Sequence, residues 1–224
     1  MAAMRTVVFD LDGTLADTSG DLIAAANVCF TGLGLGAPLR VETDALVALR
    51  GGKSMLRLGF SRTGGGSEAM VDAQYPVLLA AYGAALDVHS RIYPGAVGAV
   101  ERLREAGFAT AVCTNKPEGL AEELLRRLGV RGLFGALVGA DTLAVRKPDA
   151  APYRLAVARA GGAVARSMMV GDTETDHQTA RAAGVPSVLV TFGPEGPGVA
   201  RLSPDALLDH FEALPEIAGR LIAL

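Results

Sequence analysis

The sequence predicts an α/β fold, a doubly wound and mainly parallel sheet with an inserted α-helical segment. Three observations predict it. Short apolar runs alternate with longer stretches of helical spacing along most of the chain. The runs are unbroken rather than alternately polar, as in strands buried on both faces. After the first run, a long segment shows helical apolar stripes and no convincing strand.

The strand candidates come first. Thr6–Val7–Val8–Phe9 ends in Asp10, and Ala109–Thr110–Ala111–Val112–Cys113 ends in Thr114. Ala136–Leu137–Val138 ends in Gly139, Ser167–Met168–Met169–Val170 in Gly171–Asp172, and Ser187–Val188–Leu189–Val190 in Thr191. Helices are expected over 95–106, 117–128, 151–160 and 175–183. Gly129, Gly161 and Gly184 stand just past three of their ends, and Pro117 at the start of one. Strand followed by helix implies right-handed crossovers. Residues 17–89 break this rhythm, with stripes such as Leu22–Ile23–Ala26 and Ala45–Leu46–Leu49 and a Gly64–Gly65–Gly66 loop. The expected division is a core of 1–16 and 90–224 and a helical cap of 17–89. The last segment, 204–224, reads as a strand or turn and then a helix.

Half of the 224 residues are hydrophobic, enough for a sizeable core, and 5% are aromatic, which favours helices on a sheet over an aromatic-rich sandwich. The formal net charge of -3 argues against a nucleic-acid partner. Cys29 and Cys113 have neither a metal-site spacing nor a disulfide framework, so a reduced, cytoplasmic setting is expected. No apolar stretch is long enough for a membrane span, and Asp10 interrupts the first apolar run too early for a signal peptide. Either a monomer or a homodimer fits.

Ligands of open parallel sheets bind beyond the carboxyl ends of the strands. Asp10 and Asp12 follow the first strand, Thr114 and Asn115 the second, and Asp172 and Asp176 the fourth; Lys147–Pro148 opens the helix before that fourth strand. Clustered carboxylates repel one another unless a cation sits among them, and magnesium prefers such oxygen ligands together with a substrate phosphate. A carboxylate can attack phosphorus, a second can act as acid and then base, and a lysine and a hydroxyl can hold phosphoryl oxygens. Milder roles suit some of these residues too. Thr114–Asn115 can be a helix N-cap, Lys147 a solvated lysine, and Asp176 a favourable charge at a helix N-terminus.

Taken together, Phe9–Asp10–Leu11–Asp12–Gly13–Thr14–Leu15, Val112–Cys113–Thr114–Asn115–Lys116–Pro117, Arg146–Lys147–Pro148 and Gly171–Asp172–Thr173–Glu174–Thr175–Asp176 resemble the four motifs of the haloacid dehalogenase superfamily, in order. The likeness runs from Val7 to about Val190 and is nearest to the phosphoglycolate phosphatase-like branch, with its Rossmann-like core and helical cap. It implies a magnesium-dependent phosphatase acting on a small phosphorylated metabolite, with 2-phosphoglycolate as the expected substrate. Asp10 would be nucleophile and metal ligand. Asp12 would be acid and base and give its backbone carbonyl to the metal. Asp172 would be the third ligand, and Asp176 would hold the metal's shell or Lys147. Thr114, the Asn115 amide and Lys147 would bind the phosphoryl group.

The chain departs from that branch in the cap. Leu49–Arg50–Gly51–Gly52–Lys53–Ser54 has Arg50 where a glycine is usual, which makes Arg50 and Lys53 candidates for contact with a substrate carboxylate or plain surface charges. Gly52–Lys53–Ser54 also mimics the end of a P-loop, but the upstream glycine of that motif would fall on Val47. Pyrophosphatase, phosphosugar mutase, phosphonatase and dehalogenase activities share the fold, as would a catalytically silent binding module. Asp12 argues against a dehalogenase. His177 is expected on a helix surface, Cys113 and Met168–Met169 in the core.

Overall fold

The computed structural model describes residues 4–222. In chain order its elements are β1 (Met4–Phe9), β2 (Ala16–Asp17), α1 (Ser19–Gly32), α2 (Val41–Leu49), α3 (Gly52–Arg62), α4 (Glu68–Ala84), β3 (Arg91–Ile92), α5 (Ala96–Glu105), β4 (Phe108–Cys113), α6 (Glu118–Arg127), β5 (Ala136–Val138), α7 (Ala150–Arg159), β6 (Gly162–Gly171), α8 (Glu174–Ala183), β7 (Ser187–Val190), β8 (Ala206–Leu208) and α9 (Leu214–Leu221), with short 3-10 turns among them. The chain divides into two compact units, Met1–Ala16 with Ile92–Leu224, and Asp17–Arg91. Among the described residues, no helix is long and apolar enough to cross a membrane.

The first unit holds a parallel sheet of order β5-β4-β1-β6-β7-β8. Val7, Val8, Phe9, Val112, Met168, Met169 and Val170 are fully buried, which explains why these strands read as unbroken apolar runs. From β1 the crossovers run outward through β4 to β5; from β5 the chain returns past β1 and runs the other way through β6 and β7. Right-handed crossovers in opposite directions place α5 and α6 on one face and α7 and α8 on the other. Tyr153 and Val157 of α7 and Ala180 and Ala183 of α8 share a core with Val8, Cys113 and Met169. The direction of winding reverses beside β1 and β6, and the crevice it opens lies at their carboxyl ends.

Differences from the expected elements are local. The fourth expected strand begins at Gly162 rather than at Ser167, because β6 pairs with Met4, bulges, and resumes with Ser167 opposite Thr6. Pro117 precedes the first turn of α6 as its N-cap instead of opening it. The strand of the terminal segment is β8, the sixth in the sheet. β2 and β3 have two residues each, too few to display any period.

The unit Asp17–Arg91 packs α1 to α4 around its own core. Phe30 meets Phe60 edge-on with ring centroids 5.1 Å apart. Gly59 makes this approach possible, since a Cβ there would lie 2.1 Å from the Phe30 ring. Near the start of α1, buried Asp21 accepts hydrogen bonds from the His89 amide (2.9 Å), the Ser90 amide (2.8 Å) and the Ser90 hydroxyl (2.7 Å). Buried Asp44 is forked by Arg62, with Nη1 and Nη2 donating at 2.6 and 2.7 Å, and also accepts from the Arg40 amide.

The Arg62 hydrogen bonds hold the Asp44 carboxyl down at about 2, overcoming its burial. A carboxyl depressed in the folded state stabilises above its unfolded value near 4, and that contribution is lost as pH falls toward 2. Arg62 is partly open to solvent, which reduces the gain. Asp44→Asn is expected to cost about 1 kcal/mol at pH 7. Denaturant titrations at pH 7, 4 and 2.5 check this: the gap between variant and wild type should narrow at the acid end.

Candidate active site

Strand register builds the site. Phe9 pairs with Val112 on one side and Val170 on the other, so Asp10, Cys113 and Gly171 stand level at the sheet edge. Thr114 and Asp172 follow one residue later. The Asp10 amide continues the ladder by donating to the Val170 carbonyl at 2.9 Å. After Asp10 the chain must turn sharply. The Leu15 and Ala16 amides both donate to the Leu11 carbonyl, and Gly13 adopts a φ of 82°, a left-handed conformation that side-chain-bearing residues disfavour. The turn delivers Thr14, whose hydroxyl donates to Asp172 Oδ1 at 2.8 Å and so links the first and fourth motifs.

Lys147 lies between two of the carboxylates. Its Nζ is 2.6 Å from Asp176 Oδ1 and 3.0 Å from Asp10 Oδ1, with the side chain 1% exposed. Asp176 spends its other oxygen on the start of α8, accepting from the Thr173 amide, the Thr173 hydroxyl and the Asp172 amide in a capping box. It therefore caps a helix and anchors Lys147 at once. Gly171 is required beneath it, since a Cβ there would fall 2.2 Å from the Asp176 Cβ. Exposed Asn115 donates from its side-chain amide to the Lys147 carbonyl at 3.0 Å and so tethers the loop that carries the lysine.

Thr114 is buried, and its hydroxyl accepts from the Lys116 amide. It does not cap α6, whose N-cap is Pro117. Lys147 is buried rather than solvated. Asp12 is met by a partner that motif reading missed: Lys116 Nζ donates to both of its carboxylate oxygens, at 2.6 and 2.8 Å. Lys116 sits inside the second motif, but its pairing with Asp12 has no local signature. Thr14 was missed for the same reason.

Arg50 and Lys53 belong to the other unit. Arg50 is exposed, directly after α2. Lys53 pairs with Asp72 at 2.6 Å and lies 5.5 Å from the Tyr75 ring centroid. His177, expected on a surface, is half-buried, with Nδ1 3.1 Å from the Ser187 hydroxyl. Cys113 is a packing residue, its thiol pushed up to about 12 by burial.

The charges at the edge do not balance. One ligand oxygen from each of Asp10, Asp172 and Asp176 falls within 4.8 Å of the others. Burial pushes the Asp10 carboxyl up to about 7 against the pull of Lys147, with Asp176 and Asp12 adding to the rise. The Asp172 carboxyl is raised by burial, then by Asp176 and Asp10. Burial opposes the charge on Lys147, but Asp10 and Asp176 raise its ammonium above the ordinary lysine value. The three carboxylates share one ammonium, that of Lys147, and their donors are hard oxygens. A divalent cation preferring oxygen ligands fits it.

Residues 7–190 match the model of the haloacid dehalogenase-like hydrolase family. A phosphoglycolate phosphatase of Agrobacterium fabrum is 40% identical over 218 residues, covering 96% of this chain and 93% of its own. One from Mesorhizobium japonicum is 38% identical over 218 residues, covering 96% of each. The crystal structure of a predicted phosphoglycolate phosphatase from Haemophilus somnus superposes with a TM-score of 0.84 at 26% identity, covering 97% of this chain and 99% of that one. The matched span contains every aspartate of the carboxyl edge, and the chain belongs to the haloacid dehalogenase-like hydrolases.

Proposed function

We propose that this protein is a magnesium-dependent phosphatase that hydrolyses 2-phosphoglycolate through a phosphorylated Asp10. The observation that carries the reading is the setting of Asp10: a buried carboxylate 3.0 Å from the Lys147 ammonium, in a cluster of acidic oxygens short of positive charge. The names of the relatives supply the substrate.

Asp10, Asp172 and the Asp12 backbone carbonyl would hold the magnesium, and Asp176 would keep Lys147 in place. When bound, the cation supplies positive charge that lets an anionic nucleophile and an anionic phosphate approach one another. An Asp10 oxygen forms the new bond to phosphorus as the ester bond breaks, and Asp12 gives a proton to the departing oxygen. Water then attacks the same phosphorus. Asp12 takes up the water's proton, the Asp10–phosphorus bond breaks, and inorganic phosphate leaves. Thr114, the Asn115 amide and Lys147 would hold the phosphoryl oxygens, where fixed donors act most strongly. We read residues 17–89 as the unit that selects substrate, with Arg50 and Lys53 as its candidate contacts.

Phosphate release from 2-phosphoglycolate with magnesium present tests the chemistry. Asp10→Asn should lower the rate by about a thousandfold or more with an unchanged circular dichroism spectrum; retained turnover would remove Asp10 as nucleophile. Asp172→Ala should raise the magnesium concentration for half-maximal activity about tenfold or more, and an unaltered magnesium titration would refute its ligand role. Arg50→Ala should raise KM about fivefold for 2-phosphoglycolate and less for an aryl phosphate. Equal changes would exclude Arg50 from recognition of the carboxylate.

A further inference from the structure

Two lysines divide the carboxyl edge between them. Lys147 serves Asp10 and Asp176. Lys116 serves Asp12, gripping both carboxylate oxygens with its own side chain 4% exposed. The second pair joins segments 104 residues apart, so the register of β1 and β4 creates it rather than any local preference. A lysine buried this far requires a reason beyond solvation.

We propose that Lys116 recognises the carboxylate of the substrate, and that it selects short phosphate esters whose ester-bearing carbon also carries a carboxylate. The proposal rests on the phosphatase function above, and in particular on Asp12 as the proton donor. Asp12 must turn one oxygen toward the departing ester oxygen, and that oxygen is one Lys116 holds in the resting site. In 2-phosphoglycolate a single carbon separates the ester oxygen from the carboxylate carbon, so the nearer carboxylate oxygen lies roughly 3 Å from the ester oxygen. An ammonium within hydrogen-bond reach of Asp12 can then also reach that carboxylate when the substrate turns it toward Lys116. The substrate thus returns to Lys116 the anionic contact that Asp12 gives up. An ester without a carboxylate leaves a buried ammonium with one anionic contact fewer, which is costly. Lysine suits such an exchange, since its compact charge on a flexible stem can follow a partner that moves.

The same position would let the core share the reading of the substrate with residues 17–89. Lys116 is contributed by the loop after β4, next to Thr114 and Asn115, which are proposed to bind the phosphoryl group. One loop would then contact both ends of a very small molecule.

The experiment compares two esters of equal length, 2-phosphoglycolate and ethyl phosphate, on the magnesium-loaded enzyme. Lys116→Met should lose at least about tenfold more in kcat/KM on 2-phosphoglycolate than on ethyl phosphate, chiefly through KM. Lys116→Arg should recover part of the preference. Equal losses on the two esters would overturn the proposal and leave Lys116 acting only through Asp12. A second measurement does not depend on turnover or on a well-folded variant. The wild-type melting temperature should rise more with 3-phosphonopropionate, an inert carboxylated analogue, than with propylphosphonate. Equal rises would overturn carboxylate recognition. If the wild type hydrolysed neither ester, the phosphatase reading would fall, and the melting comparison would still decide whether the site holds a carboxylate.

Discussion

Negative charge gathered at the carboxyl ends of β1 and β6 is the constraint on which the rest of the site depends. Asp10, Asp172 and Asp176 are brought within a few ångströms of one another in a buried place, and Lys147 is the ammonium among them. Such an arrangement persists only when the surrounding fold holds it. Here it is held by hydrogen bonds that also build secondary structure. Asp176 caps α8, and the Thr14 hydroxyl joins the first turn to Asp172. The same groups that shape the backbone thereby set the electrostatics of the site.

The sheet explains why the charges meet here. Winding runs one way from β1 and the other way from β6, so neighbouring strands send their chains to opposite sides and open a crevice between them. Register then decides which residues share it. Because Phe9 is level with Val112 and with Val170, the polar residues just past those three strands emerge together. A slip of one residue in either pairing would turn the strand's side chains to the opposite faces.

Much of this was legible in the sequence, for definite reasons. Strands buried on both faces announce themselves as unbroken apolar runs, and three of those runs end in residues with obvious chemistry: Phe9 before Asp10, Cys113 before Thr114, and Val170 before Gly171 and Asp172. Asp176 is legible as a favourable charge at a helix N-terminus, and in the structure it completes a capping box with Thr173 and contacts Lys147. What could not be read was partnership at long range. Nothing near Lys116 in the chain reveals that it will reach Asp12, and nothing near His177 reveals Ser187. The two-residue strands β2 and β3 leave no periodic trace at all. In the helical unit, Lys53 reads as an available charge until Asp72 arrives beside it from the next helix.

Asp21 has a bearing on the cost of inserting so long a segment. By binding the amides of His89 and Ser90, it fastens the beginning of the helical unit to its end. The entropic burden of closing a flexible loop grows with its length, and here the insertion's own fold brings its ends together. To the sheet, the entire helical unit therefore behaves as a short tether. A change in the length of that unit which spares the Asp21 contacts would then add little to the closure cost that the sheet meets.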